Sequence, residues 1–245
     1  KNRMEFLKGV VKEKGFKSIG YENRTLSVSS FNRYSEAVSA EWAPVGDILA
    51  EMRTTKSEAE IANIKEAQSI TDKAFSHILS VLTPTMTEKD VALELEFFMR
   101  KMGSEGIAFD TIVVSGKNSS LPHGVPTDKR IEKGDFVTMD FGAVKNGYCS
   151  DMTRTVAVGD VTNEQRTVYD TVLKAQMAAL NAIKTGVVCR DIDKIARDII
   201  ENDYAGCFGH GLGHSVGIEI HESPCLNTRD DTILLDNTVL TVEPG

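Results

Sequence analysis

The sequence predicts an α+β protein built of two related halves that face each other across one cleft, preceded by part of a small α/β region. Three observations predict it. Apolar residues at three- and four-residue helical spacing give way to short runs with strand-like alternation. The order long helix, turn, second helix, strand occurs twice, and "GDFVTMDFG", ending at Gly142, lies on "NTVLTVEPG", ending at Gly245, after a shift of 103 residues. Under that shift Asp140 falls on Glu243, so each half brings an acidic strand to the cleft.

In chain order, residues 1–52 hold an amphipathic helix around "RMEFLKGVVKEKG", a strand near "KSIGYE" and a helix around "VGDILAEM". These are too few elements for a complete domain, so the boundary is set near residue 53, giving regions 1–52 and 53–245. A long helix is expected from about Glu58 to Leu82, with Ile61, Ile64, Ala67, Ile70 and Ala74 on its apolar face. "LTPTMTEKDVALELEFFMRKMG" and "IKTGVVCRDIDKIARDIIEN" share a layout: each leaves a long helix, turns at Pro84 or Gly186, and enters a second helix.

"DFVTMDFGAVKNGYCSDMTRTVAV" has β-rich arms around Asn146-Gly147, the strongest short hairpin signal. A two-residue turn there sets Lys145 opposite Tyr148, Asp140 opposite Thr153 and Asp151 opposite Gly142. Asp140 and Asp151 are then diagonal neighbours on one sheet face, roughly 7–8 Å apart at the backbone. Two carboxylates on a half-buried face repel and lose hydration, so a proton, a cation or open water must offset the cost, and a metal is the strongest of these. The competing reading puts both aspartates in solvent. Against it, apolar Val137, Met139, Phe141 and Ala143 occupy one face, and the small Gly142 is expected to leave room between the two acids.

"GHGLGHSVGIEIHE" carries three of the five histidines. His210 and His214 have i, i+4 spacing, but the glycines at 209, 211, 213 and 217 each cost a helix roughly 1 kcal/mol relative to alanine. Loop and strand are expected instead, with Ile218 and Ile220 alternating against Glu219 and His221. His123 lies in "SSLPHGVP", an extended loop set by Pro122 and Pro126. His77, inside the long helix, reads as an ordinary surface residue.

With 28 basic and 36 acidic residues the formal net charge is -8, which disfavours nucleic acid and anionic membrane surfaces as partners. No apolar run approaches the roughly 20 residues of a membrane span, and the N-terminus has no signal-peptide pattern, so a cytoplasmic protein is expected. Cys149, Cys189, Cys207 and Cys225 are widely spaced, without C-x-x-C, and read as structural thiols. The chain starts without Met and stops inside an expected strand, the pattern of a fragment.

Together "MDFGAVKNGYCSDMTRT", "GHGLGHSVGIEIHESP" and "TVEPG" resemble the metallopeptidase family with the pita-bread fold, which contains methionine aminopeptidases, Xaa-Pro aminopeptidases and prolidases. The resemblance runs from about residue 55 to the end of the sequence. It implies Asp140, Asp151, His214 and Glu243 as ligands of two divalent metal ions. Mn²⁺ is the expected ion, and Co²⁺ or Zn²⁺ also suit so carboxylate-rich a set. A fifth ligand, a glutamate, would follow "VEPG", and the repeat sets its place near position 254, past Gly245. Glu243 would double as general base, His123 would steady the leaving amine or gem-diolate, and His221 would hydrogen-bond the substrate carbonyl. "HGLGH" is similar to the Xaa-Pro branch, in which His210 would line the pocket for the residue after the cleaved bond.

The implied activity is hydrolysis of small peptides between an N-terminal residue and a following proline, by a protein expected to form a homodimer. Residues 1–52 are similar to the second half of the creatinase-like N-terminal domain of that branch. Creatinase itself shares the fold without the metal, and the four retained ligands argue against its chemistry. Two other classes are weighed: a pita-bread peptide-binding or scaffold protein with impaired catalysis, and a serine or cysteine hydrolase. For the latter, Ser215 follows His214 and Cys207 is near His210, but no triad arrangement or G-x-S-x-G elbow is present.

Overall fold

The structure, a computed structural model, describes residues 2–245 and divides after Met52 into two compact units. The first begins with α1 (Arg3–Lys14), whose N-cap Asn2 side chain accepts from the Met4 amide and whose end is turned by Gly15 at φ 65°. Then follow β1 (Ser18–Tyr21), α2 (Val28–Ala37) and β2 (Glu41–Pro44), with β1 and β2 paired in parallel, and α3 (Ile48–Thr54), whose last two residues lie past the division. α2 and β2 escaped the sequence reading. α2 is a serine-containing helix held by its Ser27 cap and buries no residue, and β2 is only four residues long, so neither carries a strong apolar pattern. Tyr21, Phe31 and Trp42 cluster with ring centroids 4.5 to 6.5 Å apart.

The second unit opens with two helices, α4 (Glu58–Val81) and α5 (Glu88–Lys101), followed by β3 (Gly106–Ile107) and β4 (Ile112–Ser115). A 3₁₀ turn over Gly116–Ser120 leads to β5 (Phe136–Phe141), β6 (Ala143–Lys145), β7 (Tyr148–Cys149) and β8 (Met152–Ala157). A second helix pair, α6 (Asn163–Ala182) and α7 (Cys189–Asp203), precedes β9 (Gly213–Ser215) and β10 (Glu222–Leu226). β4, β5 and β8 form one antiparallel sheet, β3, β6 and β7 another, and β9 pairs antiparallel with β10.

Both long helices start at capping boxes, Ser57 with Glu60 and Thr162 with Gln165, each satisfying amides that a helix start leaves unpaired. Ile70, Ala74 and Ile78 of α4 and Val91, Leu95 and Met99 of α5 pack on Val137, Met139 and Phe141 of β5. In the second half Ala175 and Ala179 of α6 and Ile192, Ala196 and Ile200 of α7 pack with Leu212 and Leu226. The repeat extends to the backbone. Glu88 N–H donates to Lys129 C=O (3.1 Å) and Ile131 N–H to Met86 C=O (2.9 Å); Cys189 to Thr232 and Leu234 to Val187 (both 2.9 Å) are their counterparts.

The Asn146-Gly147 hairpin has the register the sequence predicts: Lys145 faces Tyr148 and Asp140 faces Thr153. Asn146 and Gly147 both have positive φ, 52° and 76°, as a type I′ turn requires. Gly142 serves another purpose than the one expected. A β-carbon there would collide with the Ser150 carbonyl and come within 3.0 Å of Ala108 and Phe109, so the missing side chain makes room for backbone and not for the acids.

Residues 218–221 also differ from expectation, forming a bend where strand alternation was predicted. Glu222 Oε1 accepts from the amides of Ile218 (3.0 Å) and Glu219 (3.1 Å), a local bond that competes with ladder pairing. "TVEPG" runs extended along β9, with Thr241 N–H on His214 C=O and Glu243 N–H on Leu212 C=O, both 2.8 Å. Among the described residues no helix is long and apolar enough to cross a membrane.

Candidate metal centre

Three segments distant in sequence converge here: the β5–β8 hairpin, the start of β9, and the extended 238–243 stretch. Asp151, His214 and Glu243 each offer a ligand atom, all within 4.8 Å of one another. His214 Nε2 lies 3.5 Å from Asp151 Oδ2 and 3.2 Å from Glu243 Oε1. His214 Nδ1 is 3.1 Å from the Ser215 carbonyl; as a donor to it, Nδ1 leaves Nε2 free to bind a cation. Thr241 fixes the rest: its hydroxyl donates to Glu243 Oε1 (2.6 Å) and accepts from His214 N–H (2.9 Å).

Asp140 lies outside that triplet but within its field. Its Oδ1 is buried without a hydrogen-bond partner among the described residues. Burial pushes its carboxyl up to about 6, opposed by a hydrogen bond from Thr153 and assisted by the charge of Glu243. Asp151 is pushed up to about 7, by burial first and then by the charges of Asp140 and Glu243. Burial works against protonation of His214, but its bonds to Glu243 and to the Ser215 carbonyl prevail and raise it. Burial likewise works against ionisation of Glu243, and the bonds from His214 and Thr241 prevail and lower it. Such a cluster is one proton-hungry pair of aspartates beside an imidazole and a carboxylate. An orphaned carboxylate oxygen next to three converging donors fits a divalent cation, which would replace the protons.

The other histidines surround this cluster. His221 stacks edge-on against His214, ring centroids 4.4 Å apart, and burial and then the charge of His214 lower its proton affinity. His123 is exposed in its loop, close enough for its charge to act on Asp140 and His221. It edges an open hollow of about 560 Å³ lined by Ala92, Leu93, Thr111 and Val125. His210 Nδ1 contacts the Gly211 carbonyl at 2.8 Å, and its ring meets Phe208 edge-on. His77 belongs to the helix pair, with Nε2 2.6 Å from Glu94 Oε1 and its ring stacked on Phe98.

Two buried acids that the sequence reading passed over hold the histidine-bearing loops. Glu88, at the start of α5, accepts from the amide and hydroxyl of Ser115 and from the amide and hydroxyl of Thr127. The loop carrying His123 is thereby tied at both ends to one carboxylate. Asp193 of α7 pairs with Arg197 through both oxygens and accepts the Leu212 amide (3.0 Å), while Arg197 donates to the carbonyls of Phe208 and His210. Helical positions 88 and 193 look like solvated charges in sequence; nothing in the local pattern marks them as buried.

The profile of metallopeptidase family M24 matches residues 62–245. An Xaa-Pro dipeptidase of Pyrococcus furiosus is 43% identical over 234 residues, 95% of this chain and 67% of that protein. The solved Xaa-Pro dipeptidase from Bacillus anthracis is 47% identical with a TM-score of 0.95, covering 98% of this chain and 68% of that one. An X-Pro aminopeptidase structure from Thermotoga maritima is 42% identical with a TM-score of 0.95, covering 100% of this chain and 70% of that one. The chain spans about two thirds of the length of the curated relatives it matches. With these neighbours the fold is the pita-bread fold expected from the sequence.

Proposed function

The chain belongs to metallopeptidase family M24, and on that premise we propose that it is a metal-dependent exopeptidase that cleaves the bond between an N-terminal residue and a following proline. The observation that carries this reading is the meeting of Asp151, His214 and Glu243 beside the orphaned Asp140 oxygen. Similarity to proteins called Xaa-Pro dipeptidase and X-Pro aminopeptidase supports the substrate class. A scaffold without catalysis is disfavoured because all four of the expected donors within these residues, Asp140, Asp151, His214 and Glu243, are present.

Asp140, Asp151, His214 and Glu243 would hold the ions. When bound, a pair of divalent cations lowers the pKa of water toward neutrality and polarises a peptide carbonyl. Glu243 is the proposed general base, and the Thr241 hydroxyl, 2.6 Å from its Oε1, orients it. His221, whose proton affinity burial and then the neighbouring His214 lower, would donate a hydrogen bond to the substrate carbonyl. His123 would steady the leaving amine. His210 would line the pocket for proline, whose ring nitrogen has no N–H to offer a strand-like contact.

Three carboxylates and one imidazole support Mn²⁺ as the ion, with Co²⁺ or Zn²⁺ as alternatives. A homodimer is proposed on the exposed apolar side chains of the first unit, Phe6, Val28 and Met52 at 66%, 75% and 70% exposure. The test of function is cleavage of Xaa-Pro dipeptides and longer Xaa-Pro peptides by the protein at its natural length, with EDTA and with Mn²⁺ restored. Cleavage abolished by EDTA and recovered with Mn²⁺ is expected. Cleavage indifferent to EDTA, or none in the Mn²⁺-loaded protein, would overturn the reading.

A further inference from the structure

Lys56 precedes the capping box of α4, and at 4% exposure it is the buried lysine among the described residues. Its backbone N–H donates to the Asn237 carbonyl at 3.0 Å, anchoring it beside the stretch that leads to Glu243. Its Nζ donates to Ser215 Oγ at 2.7 Å and lies 3.1 Å from Glu222 Oε2, both partners almost wholly out of solvent. The other oxygen of that carboxylate takes the amides of Ile218 and Glu219 and so closes the bend ahead of His221. Gly217 is bare where a β-carbon would come within 2.6 Å of Glu222 Oε2, so backbone folds directly over the ion pair.

An ammonium withdrawn from water is costly, and a buried ion pair is weak grounds for stability, so its use must be sought elsewhere. Here it joins the two residues that follow the site histidines. Ser215 is next to His214 and supplies the carbonyl that faces His214 Nδ1; Glu222 is next to His221. The two rings themselves meet edge-on, their centroids 4.4 Å apart. We infer that Lys56 is a positioning residue that sets the mutual orientation of His214 and His221 by gripping Ser215 and Glu222 together. The inference rests on the proposed function for what those histidines do, and not for whether they are held.

The test is nitrogen-15 NMR of the histidine rings in the metal-free chain, with Zn²⁺ affinity measured by calorimetry, for the unaltered protein and Lys56→Met. A folded variant with displaced His214 and His221 signals and Zn²⁺ binding weakened about tenfold or more, the usual effect of losing an outer-shell partner of a metal ligand, is expected. Unshifted ring signals and unchanged affinity in a variant that is merely less heat-stable would overturn the inference. If Lys56→Met does not fold, Ser215→Ala, which keeps the ion pair and removes only the hydroxyl acceptor, is read by the same two measurements. Failure of the unaltered chain to bind Zn²⁺ would count against the metal-site reading, and the ring signals would still decide the role of Lys56.

Discussion

The two halves bring opposite electrostatics to one cleft. The β5–β8 hairpin contributes Asp140 and Asp151, which burial and like charge push up to about 6 and about 7. The β9 half contributes His214 and Glu243, joined at 3.2 Å, whose proton affinities move apart despite burial, the imidazole up and the carboxylate down. One half supplies its own counter-charge; the other has none. The demand for a cation is therefore concentrated on the hairpin, and at His214 a metal would compete with the proton binding that Glu243 favours. In their support the halves are alike, since each tethers a histidine-bearing segment to a buried carboxylate, Glu88 in the first and Asp193 in the second.

The contrast is broken most severely at Asp151, the hairpin residue that reaches the second half. Asp151→Asn is expected to lower metal-dependent Xaa-Pro cleavage by at least about 10³-fold, equivalent to roughly 4 kcal/mol of transition-state stabilisation. Steady-state kinetics with saturating Mn²⁺ reads the effect, and a loss below tenfold would place the chemistry elsewhere.

Next are the two tethers. Glu88→Ala strands four donors, and Asp193→Ala strands the Leu212 amide and Arg197. Each should cost about 2–4 kcal/mol in urea unfolding, by the penalty for unsatisfied buried polar groups. A cost below about 0.5 kcal/mol at either site would end the likeness between halves.

The pH dependence sharpens the comparison. For Asp140 and Asp151 the folded pKa values, about 6 and about 7, exceed the ordinary 3.8, so between these limits the folded state binds more protons than the unfolded chain. Their contribution to stability therefore falls as pH rises from about 4 to about 7. Metal-free protein should lose stability relative to an Asp140→Asn/Asp151→Asn variant across that window, followed as urea midpoints at pH 5 and pH 7.5. A difference that stays flat or changes in the other direction would show that the two acids are not held as described. The smallest expected effect is symmetric: Ser57→Ala and Thr162→Ala each remove one capping box and should each cost about 1 kcal/mol by thermal unfolding.

The hairpin was legible because a two-residue turn and a period of two leave no freedom: Asn146-Gly147 alone sets every pair out to Asp140 and Thr153. The helix pairs were legible from periodicity, and the 103-residue repeat set Asp140 and Glu243 at equivalent places in the two halves. Lys56 was not, because its partner Ser215 is 159 residues away and a lysine before a helix usually lies in solvent. The bend at 218–221 was missed because a side chain, Glu222, replaces the ladder partner that alternation assumes. Sequence pattern reports periodic burial; it carries no mark for a single buried charge whose partner is set by tertiary structure.

The most direct test of the central claim, that the hairpin and the β9 half jointly hold a divalent cation, is a count of Mn²⁺ bound per chain by plasma mass spectrometry after equilibrium dialysis. The unaltered chain is compared with His214→Ala and with Asp151→Asn. At least one ion per chain, lost in both variants, is the predicted result. No bound Mn²⁺ at saturation, or binding that survives removal of either side of the cleft, would contradict it.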